Sequence, residues 1–210
     1  MVKDEGFQAP LRCSRCIAAQ SCAVVKCWLL LMLALAGVWL SSKPARAQSA
    51  SKEYQLKAAF LFNFAQFVEW PADAFPNAES PFYIGVLGDN PFGTALEETV
   101  RGESIQGHKI MVLNSRHLQE LEKCQIIFIT RVERARIGEV LSKLKGRKTL
   151  TVGETPGFAQ RGGMINFYVE GNKLRFEINP AAAHQEGLKI SSQLLSLGRI
   201  VEPDATKGSP

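Results

Sequence analysis

Histidine is scarce in this chain, and cysteine is scarce where a fold could use it. The 210 residues include three histidines and five cysteines. His108, His117 and His184 stand at no metal-ligand spacing, and no Cys/His/carboxylate cluster accompanies them, which argues against a metal site. There is no G-x-S-x-G elbow, no P-loop and no H-E-x-x-H, so no catalytic constellation is expected. No cofactor is expected either: Gly85-x-x-Gly88 lacks the three-glycine dinucleotide pattern and reads as a tight turn. No apolar run reaches the roughly 20 residues that cross a bilayer as a helix. With 46% hydrophobic and 21% charged residues the composition is that of a globular protein, which excludes wholesale disorder.

The longest apolar run, CWLLLMLALAGVWL over 27–40, has the length of a signal-peptide core. Lys3, Arg12, Arg15 and Lys26 precede it, and Ala45-Arg46-Ala47 sets small residues where a signal peptidase reads. The pattern predicts a cleavable leader over 1–47, cut between Ala47 and Gln48, and hence export from the cytoplasm. An uncleaved anchor is the competing reading. The basic stretch is long and carries acids, so translation is expected to start at Val24 or Val25.

Removing the leader changes the chain's character. Residues 1–47 hold six of the 25 Lys+Arg and two of the 20 Asp+Glu, so 19 basic groups face 18 acidic ones in the remainder, a net of +1. A nucleic-acid binder carries its basic stripe on the folded part. Here the best run, Arg131 to Arg136, alternates with Glu133 and Glu139 as a solvated helix face does, so no nucleic-acid partner is expected. Cys13, Cys16, Cys22 and Cys27 leave with the leader, and only Cys124 stays. A single thiol closes no internal disulfide. It reads as an inert, partly buried thiol, with an intermolecular disulfide as the sharper alternative.

Beyond the leader the chain alternates helix and strand. Glu53–Glu69 is helical by period, with Leu56, Phe60, Leu61, Phe64, Phe67 and Val68 on one arc. Lys57 falls inside that arc and is expected to snorkel outward. Phe62 falls among polar residues, either covered by another element or exposed to a partner. Pro71 ends the helix. Short Ile/Val-rich runs at 82–87, 109–113, 125–130 and 149–152 read as strands buried on both faces. Helical stretches at 92–100, near 116–121 and at 132–144 separate them, which implies parallel pairing through right-handed crossovers. Two further strands, 164–170 and 173–179, flank Gly171-Asn172, a hairpin signal. Asn179-Pro180 reads as an N-cap with Pro at N1, Gly187 as a helix stop, and Ser191 or Ser192 as the start of a last helix. The expected fold is α/β: a single domain over 48–201, with a central mostly parallel sheet flanked by helices, a C-terminal β-hairpin and helices, and a disordered tail over 202–210.

Two loops at strand ends stand out. Asp89 and Asn90 come after the first strand, and Glu154 and Thr155 after the fourth. In open parallel sheets ligands bind beyond the carboxyl ends of strands, so these four residues are the candidate ligand rim. Turn and N-cap chemistry is the plainer reading of both loops.

Several segments together resemble the YfiR family of periplasmic regulators, also known as a domain of unknown function: YQLKAAFLFNFAQFVEWP, PFYIGVLGDNPFG, CQIIFIT, TLTVGETPGFAQRGGMINFYVEGNKLRFEIN and LKISSQLLSLGRIV, spanning Tyr54 to Val201. The resemblance implies an α/β fold and a non-enzymatic regulator of cyclic-di-GMP signalling. It implies a homodimer that represses an inner-membrane diguanylate cyclase, or another membrane sensor, through its periplasmic sensory domain. It also implies that an OmpA-like outer-membrane lipoprotein sequesters the regulator. The disulfides that the resemblance implies have no counterpart, because Cys124 stands alone. A regulator of this kind works through exposed apolar residues with a polar rim. Phe62, Trp70, Phe75 and Phe92 are the candidate partner contacts. The competing classes are a periplasmic small-molecule-binding subunit for a membrane receptor or kinase, and a hydrolase with an unrecognised site.

Overall fold

The computed structural model describes residues 45–131 and 134–202, without the side chains of 45–50, 134 and 135. The expected leader core, the four cysteines ahead of it or within it, Val132 and the tail beyond Glu202 lie outside the described residues. The chain divides into two compact units, Met1–Gln48 and Ser49–Pro210. Of the first, only Ala45–Gln48 is described, as the opening turn of helix α1 (Ala45–Phe67). No helix of the described residues is long and apolar enough to cross a membrane.

In chain order, α1 leads into β1 (Val68–Glu69), a 3-10 turn over Ala72–Ala74, β2 (Phe82–Leu87), α2 (Ala95–Val100), β3 (Ser104–Ile105) and β4 (His108–Ser115). A second 3-10 turn over Leu118–Leu121 precedes β5 (Ile126–Ile129), α3 (Arg134–Leu144) and β6 (Leu150–Gly153). The C-terminal part adds β7 (Ile165–Glu170), β8 (Lys173–Ile178), α4 (Pro180–Gln185), β9 (Lys189–Ile190), α5 (Ser192–Leu197) and β10 (Arg199–Ile200).

Eight strands form one sheet in the order β10-β8-β7-β6-β5-β2-β4-β3. The pairs β4–β2, β2–β5, β5–β6 and β6–β7 are parallel, as the apolar runs require. The hairpin β7–β8 is antiparallel and adds to the same sheet, with β10 parallel to β8 at its edge. The hairpin turn uses positive φ at both Gly171 and Asn172, the geometry that matches strand twist. Asn179 caps α4 by accepting from the Ala182 amide, and Ser191 caps α5 by accepting from that of Leu194.

Alternate residues of the central strands feed two cores. Phe82, Ile84, Val86, Ile126 and Phe128 pack with α1, α2, α4 and α5 on one face. Leu87, Ile127 and Ile129 pack with α3, the second 3-10 turn and Phe158 on the other. The connection from β6 to β7 carries no helix. Phe158 takes that place, clasped by two glycines: a Cβ on Gly153 or Gly163 would come within 2.7 or 2.1 Å of its ring.

Three expectations are corrected. Lys57 does not reach solvent; it is 2% exposed. Leu56, expected in the apolar arc, is exposed, because the buried stripe of α1 runs through Lys57, Ala58, Leu61, Phe64 and Ala65. The helix expected from Phe92 begins at Ala95, since an Asn90-centred turn holds the chain ahead of it.

Candidate functional site

The strand order places a topological switch point between β2 and β5. The chain leaves β2 toward β4 on one side and returns to β5 on the other, so a crevice opens at the carboxyl ends of these two strands. The four rim residues divide between two places, with β5 standing between their parent strands. Asp89, just past β2, pairs with Arg116, whose Nε donates over 2.8 Å, and both side chains are exposed. Asn90 does turn work: its Oδ1 accepts from the Phe92 amide at 2.9 Å and its Nδ2 donates to the Gly93 carbonyl at 3.1 Å. Thr155 is buried, and its carbonyl accepts from the Phe158 amide.

Glu154 belongs to a buried network. Lys57 Nζ lies 2.6 Å from Glu154 Oε2 and 2.6 Å from Glu53 Oε1. The Tyr54 hydroxyl sits 3.2 and 3.1 Å from the two Glu154 oxygens and donates to that carboxylate. The ammonium also lies 4.3 Å from the centre of the Tyr54 ring, a cation–π contact. One α-helical turn, Glu53 to Lys57, thus closes on the end of β6. Burial, and after it the Glu154 charge, pushes the Tyr54 hydroxyl up to about 12. A lysine inside an apolar arc was the sequence signal for this network; it reads as a buried ion only once Glu154 is placed opposite.

Next to this network, Glu177 of β8 is a second buried carboxylate. It accepts from Gln160 Nε2 at 3.0 Å, Asn166 Nδ2 at 3.1 Å and Arg199 Nη2 at 3.1 Å. Lys57, Glu154, Gln160, Tyr168, Glu177 and Arg199 contribute to one cavity of about 570 Å³. Sequence reasoning missed Glu177 and Arg199, because Arg199 lies on a two-residue strand whose pairing is invisible to periodicity.

The four aromatic candidates do not form a surface. Trp70 and Phe92 are core residues at 7% and 5% exposure, which corrects the expectation that they are exposed. Trp70 donates its indole N–H to the Gln125 carbonyl and meets Phe82 edge-on. Phe92 packs edge-on to Tyr54 and Phe128. Phe62 and Phe75 are half-buried against the same core, and Phe75 stacks on His108 with ring centres 4.0 Å apart.

Exposed apolar surface lies elsewhere, at the β8–β10 edge. Leu197 is 67% exposed, Val169 57% and Ile200 49%. A groove of about 380 Å³ runs between Phe60, Leu174, Phe176 and Leu197. β10 pairs only with Glu177 and Ile178, so Lys173–Phe176 of β8 has no strand beside it on that side among the described residues. Arg175, salt-bridged to Glu170 at 2.9 Å, and Arg199 form its polar rim.

Cys124 is buried and free, and burial pushes its thiol up to about 12, so it is not a thiolate at neutral pH. Among the described residues no three His, Cys, Asp or Glu side chains are grouped to hold a metal ion.

These features define a doubly wound α/β domain with clefts along its strand-end rim and an open apolar edge. The YfiR/HmsC-like family model matches residues 54–199, and the chain belongs to that family. It is a family of periplasmic regulators of cyclic-di-GMP signalling. No curated protein matches the chain. Two solved structures are similar to part of it. One is described as the ABC domain in complex with L-Trp from Streptococcus pneumonia, 13% identical over 57% of this chain and 55% of that one, with a TM-score of 0.41. The other is a conserved domain protein from Vibrio cholerae O1 biovar eltor strain N16961, 15% identical over 56% and 54%, with a TM-score of 0.40. The chain spans about half the length of each.

Proposed function

We propose that the protein is a non-enzymatic periplasmic regulator that represses an inner-membrane diguanylate cyclase by contact with that enzyme's periplasmic sensory domain. The observation that carries this reading is the β8–β10 edge, where exposed Leu197 lines an apolar groove with a polar rim and Ile200 of β10 is exposed as well. Exposed apolar clusters of this kind are interaction surfaces. Repression needs only a difference in affinity for two states of the target, and about 10⁴-fold suffices to invert a 1:99 population. In this reading the chain works as a homodimer, and an OmpA-like outer-membrane lipoprotein that captures it releases the cyclase.

The test is Leu197→Asp and Ile200→Asp, assayed by pull-down with the sensory domain and by cellular cyclic-di-GMP. Both side chains are solvated, so the melting temperature stays near that of the parent protein. Binding weakens by about tenfold or more, as for interface anchors, and cyclic-di-GMP rises. Parental binding and repression in both variants would refute the edge as the contact.

A second reading is a periplasmic small-molecule-binding subunit for a membrane receptor or kinase. The cavity beside Lys57 and Glu154 favours it, because it joins buried, oriented polar groups to Tyr168 and Leu174. A thermal-shift screen of periplasmic metabolites tests it: a saturable rise that Glu154→Gln removes supports it, and no rise with any compound counts against it.

A further inference from the structure

We infer that the switch-point crevice is a binding site for a small phosphate-bearing ligand, separate from the partner-contact edge. The crevice encloses about 530 Å³ at the carboxyl ends of β2 and β5. By sheet order it lies three strands away from β8, so the edge groove takes no part in it; Arg131 stands between the two clefts and also lines the cavity of Glu154 and Glu177.

Its lining is basic. Arg116, Arg131, Arg136 and Lys143 enter it, together with His117, against the two carboxylates Asp89 and Glu139. Both carboxylates are already engaged: Asp89 by Arg116, and Glu139 by Lys143 at 2.6 Å. Neither Arg131 nor Arg136 makes a salt bridge among the described residues. Arg136, Glu139, Val140 and Lys143 recur at helical spacing, so one face of α3 forms a wall.

The crevice floor is closely packed. Gly88 has φ +111°, and a Cβ there would meet Thr130 Oγ1 at 2.1 Å, so the glycine lets the ends of β2 and β5 pack together. Leu87 and Thr130 are tied across the crevice floor, since the Thr130 amide and hydroxyl both donate to the Leu87 carbonyl, at 3.1 and 2.9 Å. The floor is therefore held in place, while the two arginines above it are exposed and held by no salt bridge among the described residues. Guanidinium forks match tetrahedral oxyanions, and two of them satisfy a dianion better than a monoanion. The volume exceeds that of a bare phosphate and leaves room for an organic body.

The test titrates the purified protein with inorganic phosphate and, separately, with ribose 5-phosphate, at constant ionic strength against sodium chloride, by thermal shift and calorimetry. A saturable rise in melting temperature is expected with at least one phosphate and not with chloride. A tighter midpoint for the sugar phosphate assigns the site to an organic phosphate, and equal midpoints assign it to free phosphate. In the double variant Arg131→Gln/Arg136→Gln the midpoint moves up by at least about tenfold, as loss of charge-assisted contacts requires. Lys145→Gln, outside the crevice, keeps the parental midpoint. All these side chains are exposed, so the unliganded melting temperature stays unchanged. A non-saturating response, an equal response to chloride, or a parental midpoint in the double variant overturns the inference.

Discussion

Replacing Lys57 by methionine tests the buried network directly. Lys57 and Glu154 are both buried, so their ion pair is poorly screened, and Met preserves most of the lysine volume. Lys57→Met leaves Glu154 with the Tyr54 hydroxyl as its one remaining polar neighbour in the network. Breaking a buried pair by removing one partner costs about 3–5 kcal/mol. Glu154→Gln is milder, because Lys57 keeps Glu53, and the Tyr54 hydroxyl can still donate to the amide oxygen. Its cost should fall to about 1–2 kcal/mol, the range of a lost neutral hydrogen-bond equivalent. The double variant Lys57→Met/Glu154→Gln removes both buried charges and should be more stable than the sum of the two losses by at least about 1 kcal/mol, the signature of coupled neighbours. Urea unfolding monitored by tryptophan fluorescence, run as a double-mutant cycle at pH 7, measures all three. Lys57→Met should also lower the melting temperature by about 10 °C, at roughly 2–4 °C per kcal/mol for a domain of this size. Two results would refute the reasoning: a Lys57→Met cost below about 1 kcal/mol, or strict additivity in the cycle.

The same geometry sets other expectations. Gly163→Ala puts a Cβ against the Phe158 ring at 2.1 Å and should destabilise by about 1–3 kcal/mol or more through overpacking, read from the urea midpoint; an unchanged midpoint would show that the Phe158 clasp is not rigid. Asn172→Ala holds a non-glycine residue at φ +60° without the amide that eases it, and should cost about 1 kcal/mol, whereas Asn172→Gly should not. Burial raises the Cys124 thiol from 9.0 to about 12 and the Tyr54 hydroxyl from 10.0 to about 12. The unfolded chain then loses these protons first, so their stabilisation is present below pH 9 and is lost as pH climbs toward 12. Equilibrium unfolding between pH 8 and 12 should show that decline, shallower in Cys124→Ala and in Tyr54→Phe. The same burial predicts that a thiol reagent labels Cys124 at pH 8 only as fast as the protein opens, and immediate labelling of the folded protein would contradict it.

The strand and helix order was legible because each central strand is an apolar run buried on both faces, a signal carried by consecutive residues such as Ile126 to Ile129. Caps and turns were legible for the same local reason: Asn179, Ser191 and the Gly171-Asn172 pair act within three residues of themselves. The two-residue strands β1, β3, β9 and β10 were not, since a pairing that short has no period and depends on where distant backbone arrives. The site failed in both directions for one physical cause. Periodicity reports which residues share a face, whereas exposure depends on whether a distant element reaches that face. Trp70 and Phe92 read as exposed aromatics next to prolines, yet the chain folds back there onto Phe82 and Phe128. Leu197 shares the last helix with buried Leu194, and nothing in its local sequence marks it as exposed, yet the sheet ends two strands from the β7 ladder and nothing among the described residues covers it. Lys57 shows the same limit in a charged group. A cation in an apolar arc implies either a chain long enough to escape or an anion waiting inside. The anion lies 97 residues away in sequence, at the end of a strand that only the assembled sheet brings to α1.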